Sequence, residues 1–489
     1  MTFNLNEFFP VQVREARVAE VRGHGFRLDA GFHASSASDV LEAFANGHAV
    51  TKRISELADT YGLSDFGLLR IPADKNHGTP FYTVSDIQEQ EPIPAMFLSK
   101  LYEPNLSDYL VSKGDVLVSR SGSVGNVIIV GNNLDGKAVA NHAIRIVAKT
   151  AELSSLIYAT LSGALGKSLL KNLRYGSVID QIKSFQINAI SIPIPSERVL
   201  DTLHLCITTA SGRRDEALQL LTDAKSLVLV HNQLPALEGT PVETLDPQGV
   251  VEAAELPCVE ISLPVGTSEF RLEENFYNVH ARAAIHNIRV CPSKKKTVGE
   301  LSHRVIMGSR FKRNYVEALH GTPFLSGRSI VQIRPTDLKY LSNSQTDDLD
   351  EMLVKRGWIL VTCSGTIGRT CFVWKNFEDF AASQHILRVL PNEAAVDQAY
   401  LYAFLSSEYG YEQIIRFRHG SVIDEITDEQ LKKVIVPLPS LDQQKEIGDS
   451  VRQAYEKRAE ALKLEDDAQN ILMHEMNGRN TKSGDYQHV

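Results

Sequence analysis

Arg174-Tyr175-Gly176-Ser177-Val178-Ile179-Asp180 returns as Arg418-His419-Gly420-Ser421-Val422-Ile423-Asp424, six of seven residues identical at a displacement of 244 residues. His77-Gly78-Thr79-Pro80-Phe81 recurs unchanged as His320-Gly321-Thr322-Pro323-Phe324, displaced by 243. Gly114 to Gly125 is echoed by Gly357 to Gly368, and His142-Ala-Ile-Arg145 by His385-Ile-Leu-Arg388. Four blocks in one order at a near-constant offset mean a duplicated unit, far longer than solenoid periods of roughly 20 to 50 residues. The fold must therefore be two copies of one module, and the function should need two similar sites.

With 489 residues the chain exceeds the size at which one core stops growing, so two or more domains are expected. It is 43% hydrophobic and 23% charged, and has no run of about 18 apolar residues able to cross a bilayer. The stretch Met1 to Phe9 lacks the basic and apolar regions of a secretory signal, so a cytoplasmic protein with no membrane partner is expected. The five cysteines (Cys206, Cys258, Cys291, Cys363, Cys371) form no CxxC pair and read as reduced, mostly buried thiols. A net charge of −9 argues against a surface that binds nucleic acid everywhere, yet leaves room for a local basic face. Such clusters stand at Lys294-Lys295-Lys296, at Arg310 with Lys312-Arg313, and at Arg416 with Arg418; each also reads as an ordinary solvated loop.

Within a copy, β-like runs (Val116 to Ser119, Asn126 to Val130) are joined by Gly-x-x-Gly, and Trp358 to Thr362 and Thr370 to Trp374 match them. Helical interludes follow near Leu153 to Leu173 and Asp397 to Ile415, giving an α+β fold of two mixed modules. Each module closes on a Pro-x-Pro strand end, Pro193-Ile-Pro195 or Pro437-Leu-Pro439, and Ser196 or Ser440 then caps a long helix. The apolar stripe is Leu203, Ile207, Ala210, Arg214, Ala217, Leu221, Ala224 and Val228 in the first helix. In the second it is Ile447, Val451, Ala454, Arg458, Ala461, Glu465, Ala468 and Leu472. This three-four spacing, with Arg214 and Arg458 at one matching position, predicts that the helices pair as an antiparallel coiled coil; packing of each helix on its own domain is the simpler competitor. The expected organisation is a first module over 1–195, a helix over 196–233 and a linker over 234–265. A second module over 266–439, a helix over 440–475 and an unstructured tail over 476–489 complete it.

Tandem modules each followed by a long helix resemble the specificity subunit of type I restriction-modification enzymes, over most of the chain. The resemblance rests on Arg27-Leu-Asp and Arg271-Leu-Glu, the Gly-x-x-Gly strand pairs, His142 and Gln384-His385, and the Gly-Ser-Val-Ile-Asp pair. The most specific block is Val436-Pro-Leu-Pro-Ser-Leu-Asp-Gln-Gln-Lys-Glu-Ile447; Glu197-Arg198-Val199-Leu200 departs from it in the first copy. The resemblance implies a subunit without catalysis of its own, each module reading one half of a bipartite, asymmetric double-stranded DNA target and the helices fixing the distance between them. It implies recruitment of two adenine methyltransferase subunits that use S-adenosylmethionine, and in the full enzyme of translocase and nuclease subunits that use ATP and Mg. No cofactor or metal is expected on this chain.

Phosphate contacts position a protein and base contacts specify sequence, so two modules reading different half-sites should share the first kind and differ in the second. Shared residues, Ser121 and Ser364, Arg174 and Arg418, Ser177 and Ser421, are candidates for phosphate contact or for architecture, and Arg310, Lys312, Arg313 and Arg416 join them by charge. Differing positions flanked by identity are candidates for base reading: Ser85 against Arg328, Arg120 against Cys363, Asn126 against Arg369, and Tyr175 against His419. Arg suits guanine and Asn suits adenine in the major groove. Ordinary surface drift accounts for any one such difference equally well. His142 and His385 stand without ligand partners at metal spacing and read as structural, and Asp180 and Asp424 read as helix caps rather than paired acids. The acidic Glu465-Asp466-Asp467 reads as a solvated helix face or a partner surface. Two rivals remain: a duplicated RNA-binding or scaffold protein using Gly-x-x-Gly loops, and a self-contained enzyme, for which no nucleophile, metal set or phosphate cradle is found.

Overall fold

The computed structural model describes residues 50–62, 71–73, 75–101, 106–121, 124–174, 181–237, 274–336 and 338–478. It divides into two compact units, one of Met1–Asp215 with Glu460–Val489 and the other of Glu216–Ala459. Residues 238–273, which take in most of the expected linker and the start of the expected second module, lie outside the described residues, as do Asp180 and the tail beyond 478.

In the first unit, β1 (Thr51–Arg53), α1 (Ile54–Leu57) and β2 (Ala58–Gly62) lead into β3 (Pro72–Ala73), β4 (Gly78–Tyr82) and β5 (Met96–Ser99). Then come β6 (Val116–Ser119), β7 (Val127–Ile129), β8 (Ala138–Val139), β9 (Ala143–Ala148), α2 (Ala151–Ser162), α3 (Ala164–Asn172), α4 (Ser184–Asn188), β10 (Ser191–Pro193) and α5 (Glu197–Asn232), which belongs to this unit as far as Asp215. The strands form a sheet of order β2-β9-β6-β7, a smaller sheet of order β3-β5-β4-β8, and a β1-β10 pair. All pairings are antiparallel except β4 with β8.

The second unit contains α6 (Val279–Val290), β11 (Lys294–Thr297), β12 (Ser302–Ile306), β13 (Tyr315–Val316), β14 (Gly321–Leu325), β15 (Lys339–Ser342), α7 (Leu349–Met352), β16 (Ile359–Thr362) and β17 (Thr370–Phe372). It continues through β18 (Ala381–Ala382), β19 (Ile386–Pro391), α8 (Gln398–Ser406), α9 (Glu408–Ile415), α10 (Asp428–Lys432), β20 (Ile435–Leu438) and α11 (Leu441–Gly478), which belongs to this unit as far as Ala459. Its sheets, β12-β19-β16-β17, β13-β15-β14-β18 and β11-β20, repeat the first unit strand for strand. The duplication read from sequence is thus a duplication of topology.

The central strands explain the continuous apolar runs. All four residues of β6 and all four of β16 are buried, because each strand is covered on both faces and cannot alternate polar with apolar. The helical interludes start where a side chain satisfies the first free amides: Thr150 Oγ1 accepts from Leu153 N at 3.3 Å, and Asp397 Oδ1 from Ala399 N at 2.9 Å and Tyr400 N at 3.0 Å. Each interlude is two helices rather than one, broken at Gly163 and at Ser407. The helices of each pair meet so closely that a Cβ on Gly166 would lie 2.2 Å from Thr160 O, and one on Gly410 2.3 Å from Phe404 O. That close approach, not a phosphate cradle, accounts for glycine before Lys167-Ser168.

The stripe residues are buried, Arg214 less completely than the others, and in each unit segments of α5 and α11 run antiparallel. In the first, Arg213 Nε lies 3.1 Å from Glu460 Oε2, Arg214 Nη2 2.5 Å from Glu465 Oε1, and Ser196 N donates to Glu475 Oε1 at 3.2 Å. In the second, Lys457 pairs with Glu216, and His231 Nε2 lies 2.9 Å from Glu446 Oε2. Ser440 caps α11 as expected, its Oγ accepting from Gln443 N at 3.3 Å while Gln443 Oε1 accepts from Ser440 N at 3.1 Å.

Three expectations are corrected. Glu465 is not on a solvated face: only 3% of its side chain is exposed, and it receives hydrogen bonds from the Tyr158 hydroxyl and charge from Arg214. Burial works against the Arg214 cation, but Glu465 and Tyr158 outweigh it and the arginine pKa is raised. Asp424 caps no helix; Thr427 caps α10, and the Asp424 carbonyl accepts from Gly365 N at 2.9 Å. Lys294-Lys295-Lys296 is not a loop but most of β11, paired with the Pro-x-Pro strand β20. Replacing Glu465 by Leu should strand a largely buried guanidinium and cost about 3 kcal/mol, whereas Arg214→Leu together with Glu465→Leu should recover most of it. Denaturant midpoints of the two variants decide the matter.

Candidate nucleic-acid interface

The duplicated residues converge at one end of the central strand in each module. In the second, Cys363 N donates to His385 O at 3.0 Å and Ile426 N to Cys363 O at 3.0 Å, so the residues following β16 tie the start of β19 to the segment after α9. Ser364 forms an isolated bridge with Glu425 and its Oγ lies 3.5 Å from Glu425 Oε1. Arg313 Nη2 donates to Gln384 Oε1 at 2.8 Å, which brings the basic loop carrying exposed Arg310 and Lys312 to the same end. In the first module Ser121 bridges Gln181, Arg120 N donates to His142 O at 2.8 Å, and Ile182 N donates to Arg120 O at 2.9 Å. The His142 ring is used within the fold, its Nδ1 2.7 Å from Ser121 Oγ, while His385 Nε2 lies 3.1 Å from the Gln384 side-chain nitrogen.

The positions that differ between copies gather near the same strand end. Arg369 N donates to Thr362 Oγ1 at 3.0 Å, and a Cβ on Gly327, next to Arg328, would sit 3.3 Å from Thr362 Cγ2. Ser85 and Arg328 are both exposed and both immediately precede a short 3-10 turn, Asp86–Gln88 or Ser329–Val331. Arg120 is half-buried, whereas Cys363 is buried and its thiol is pushed up to about 12 by burial, with Glu425 adding to the effect. One module therefore carries a cation where the other carries a neutral thiol that cannot reach a ligand. Asn126 is half-buried and its amide donates to Gln88 Oε1 at 2.7 Å. Gln88 was not among the expected site residues, and Val331 stands at the matching position of the second copy, so comparing copies gives no signal of conserved chemistry there; Gln384 was likewise not read as a site residue.

Further candidates lie on the segments that follow the second interlude helices. Arg416 stacks on aromatic rings, its guanidinium carbon 4.0 Å from the centre of Phe276 and 5.3 Å from that of Phe417. Arg174 and Arg418 both follow the second interlude helix and are half-buried, and Arg418 Nη1 lies 3.7 Å from Asp424 Oδ2. His419 exchanges backbone hydrogen bonds with Glu425, and Ser421 is exposed just beyond it. Tyr175 and Ser177 fall outside the described residues. The Gly-x-x-Gly turn places Gly365 at φ 76° and Gly368 at φ 83°, a left-handed backbone, between β16 and β17. Among the described residues no group of three His, Cys, Asp or Glu could hold a metal ion, and no helix is long and apolar enough to cross a membrane.

The family model for the type I restriction modification DNA specificity domain matches the chain twice, over residues 50–202 and again over 293–465. The chain belongs to that family. It is therefore a DNA-target-recognition protein, and specificity subunits of type I systems are non-catalytic. No curated protein sequence matches. Among solved structures, the type I S subunit from M. genitalium aligns at 14% identity over 88% of this chain and 96% of its own, with a TM-score of 0.29. The HsdS subunit from Thermoanaerobacter tengcongensis aligns at 17% identity over 88% and 96%, with a TM-score of 0.27. At these scores the likeness adds nothing to the family assignment. For this specificity protein, Arg328→Ala should relax discrimination at a single base position, by about 1–3 kcal/mol, and leave binding to unrelated duplexes intact. Arg313→Ala should instead weaken binding alike on every sequence and lower the salt slope by about one. Competition binding across a panel of single-base variants at several salt concentrations separates the two.

Proposed function

We propose that the chain reads a bipartite, asymmetric double-stranded DNA sequence and recruits two adenine methyltransferase subunits in a type I restriction-modification or related methylation-based defence system. Translocase and nuclease subunits join in systems that also cleave. S-adenosylmethionine, ATP and Mg belong to those partners, and the complex works in the cytoplasm. The observation that carries the reading is the pairing of one topology with two sets of side chains. Ser85 and Arg328 occupy the same turn, Arg120 and Cys363 the same strand end, and Asn126 and Arg369 the same position after Gly-x-x-Gly. A module that bound one ligand twice would have no use for such differences, whereas two half-sites of unlike sequence require them.

The RNA-binding alternative loses its footing because the Gly-x-x-Gly turn here joins strands β16 and β17, not the helices that flank the corresponding loop of a KH domain. Methylome sequencing of a host carrying this gene with its methyltransferase, beside a deletion of this chain alone, provides the test. A split, asymmetric methyladenine motif should be present in the first and absent from the second. Methylation that persists unchanged without the chain would sink the reading.

A further inference from the structure

The segment after α9 ends in an apolar tip that nothing inside the fold requires. Val422 is 92% exposed and Ile423 57% exposed. A single exposed aliphatic side chain needs no explanation, but these two are adjacent, and the same pair recurs in the sequence as Val178-Ile179. The tip is also held rigidly. His419 N donates to Glu425 O at 3.1 Å and Glu425 N to His419 O at 2.8 Å, while Gly365 N holds the Asp424 carbonyl at 2.9 Å. Gly420 takes φ 128°, and a Cβ there would lie 2.2 Å from Ile423 O, so only glycine lets the chain turn this tightly. The flanking acids are engaged at the surface: Arg418 Nη1 lies 3.7 Å from Asp424 Oδ2, and Ser364 Oγ 3.5 Å from Glu425 Oε1.

We propose that Val422 and Ile423 form a wedge that enters the minor groove of duplex DNA and unstacks one base step in the half-site read by the second module. This rests on the DNA-recognition reading above. Duplex DNA is the occupant the surroundings favour. The tip belongs to the segment that Ser364 and Cys363 tie to the end of β16, where Arg313 and Gln384 also meet. Two aliphatic side chains ringed by Arg418, His419, Ser421 and Glu425 are too small an apolar patch to anchor a stable protein interface, which buries about 800 Å² on each partner. They match the isolated apolar side chains that architectural proteins insert between base pairs. An apolar wedge reads no base edge and is driven in only once the module is seated on its half-site, so two modules of different specificity can share it.

The experiment uses the full-length chain in complex with its methyltransferase, and duplexes bearing the methylated motif with 2-aminopurine at successive positions of the second half-site. The wild-type complex should raise fluorescence severalfold at one step other than the methylated adenine, which the methyltransferase extrudes itself. Val422→Ser with Ile423→Ser should abolish that rise and weaken binding to the motif at least tenfold. Its binding to an unrelated duplex should stay within twofold, and it should still co-purify with the methyltransferase. Val422→Leu with Ile423→Leu should keep the rise. The wedge is overturned if the serine variant retains the fluorescence step, or if it keeps its DNA affinity but loses the methyltransferase, which would make the tip a protein-docking surface. A wild-type complex that bound no DNA would overturn the recognition reading itself, and the wedge with it.

Discussion

A carboxylate in the interior must be paired, and Glu465 is paired by groups from two distant stretches of sequence, the Tyr158 hydroxyl of α2 and the Arg214 guanidinium of α5. Satisfying it sets the register of α11 against the first unit. A shift of α11 by one heptad toward the start of α5 would carry the charge away from Arg214 and toward Leu203 and Ile207, both of them buried. Apolar seam positions tolerate sliding far better, since one Ala or Leu replaces another at little cost. The largely buried polar group supplies the specificity that the apolar stripe lacks.

The equivalent position at the other end is solved differently. Leu221 stands in α5 where α11 has Glu465, and Tyr402, the counterpart of Tyr158, packs its ring edge-on against Tyr455 and tilted against Phe372. The Tyr455 hydroxyl accepts from Phe372 N at 2.9 Å, and the Arg458 guanidinium lies 4.8 Å from the Tyr455 ring centre. One unit thus uses an ion pair and the other a cluster of aromatic rings. Duplicated sequences drift apart in this way once each end of a seam need only satisfy its own neighbours.

Much of this was legible because the chain contains its own comparison. The stripe from Leu203 to Val228, and its mate from Ile447 to Leu472, could be picked out by spacing alone, and both lie on long helices, Glu197–Asn232 and Leu441–Gly478. What escaped the sequence depends on partners far along the chain. The burial of Glu465 requires Arg214, the strand character of Lys294 to Thr297 requires β20, and the breaks at Gly163 and Ser407 interrupt runs whose apolar pattern continues unbroken through them. The interface behaves likewise. Comparing copies marks Asn126 as variable, but only the structure reveals that its amide is bound to Gln88.

The first unit is completed by helix from far along the chain, and that has a bearing on how the protein is made. The face of the first unit that includes Leu203 and Ile207 packs with Ala468 and Leu472, which leave the ribosome more than 250 residues later. At roughly 5–20 residues per second, that face waits on the order of 10–50 s without its cover. The first module must persist meanwhile as an incomplete globule with an apolar stripe open to solvent.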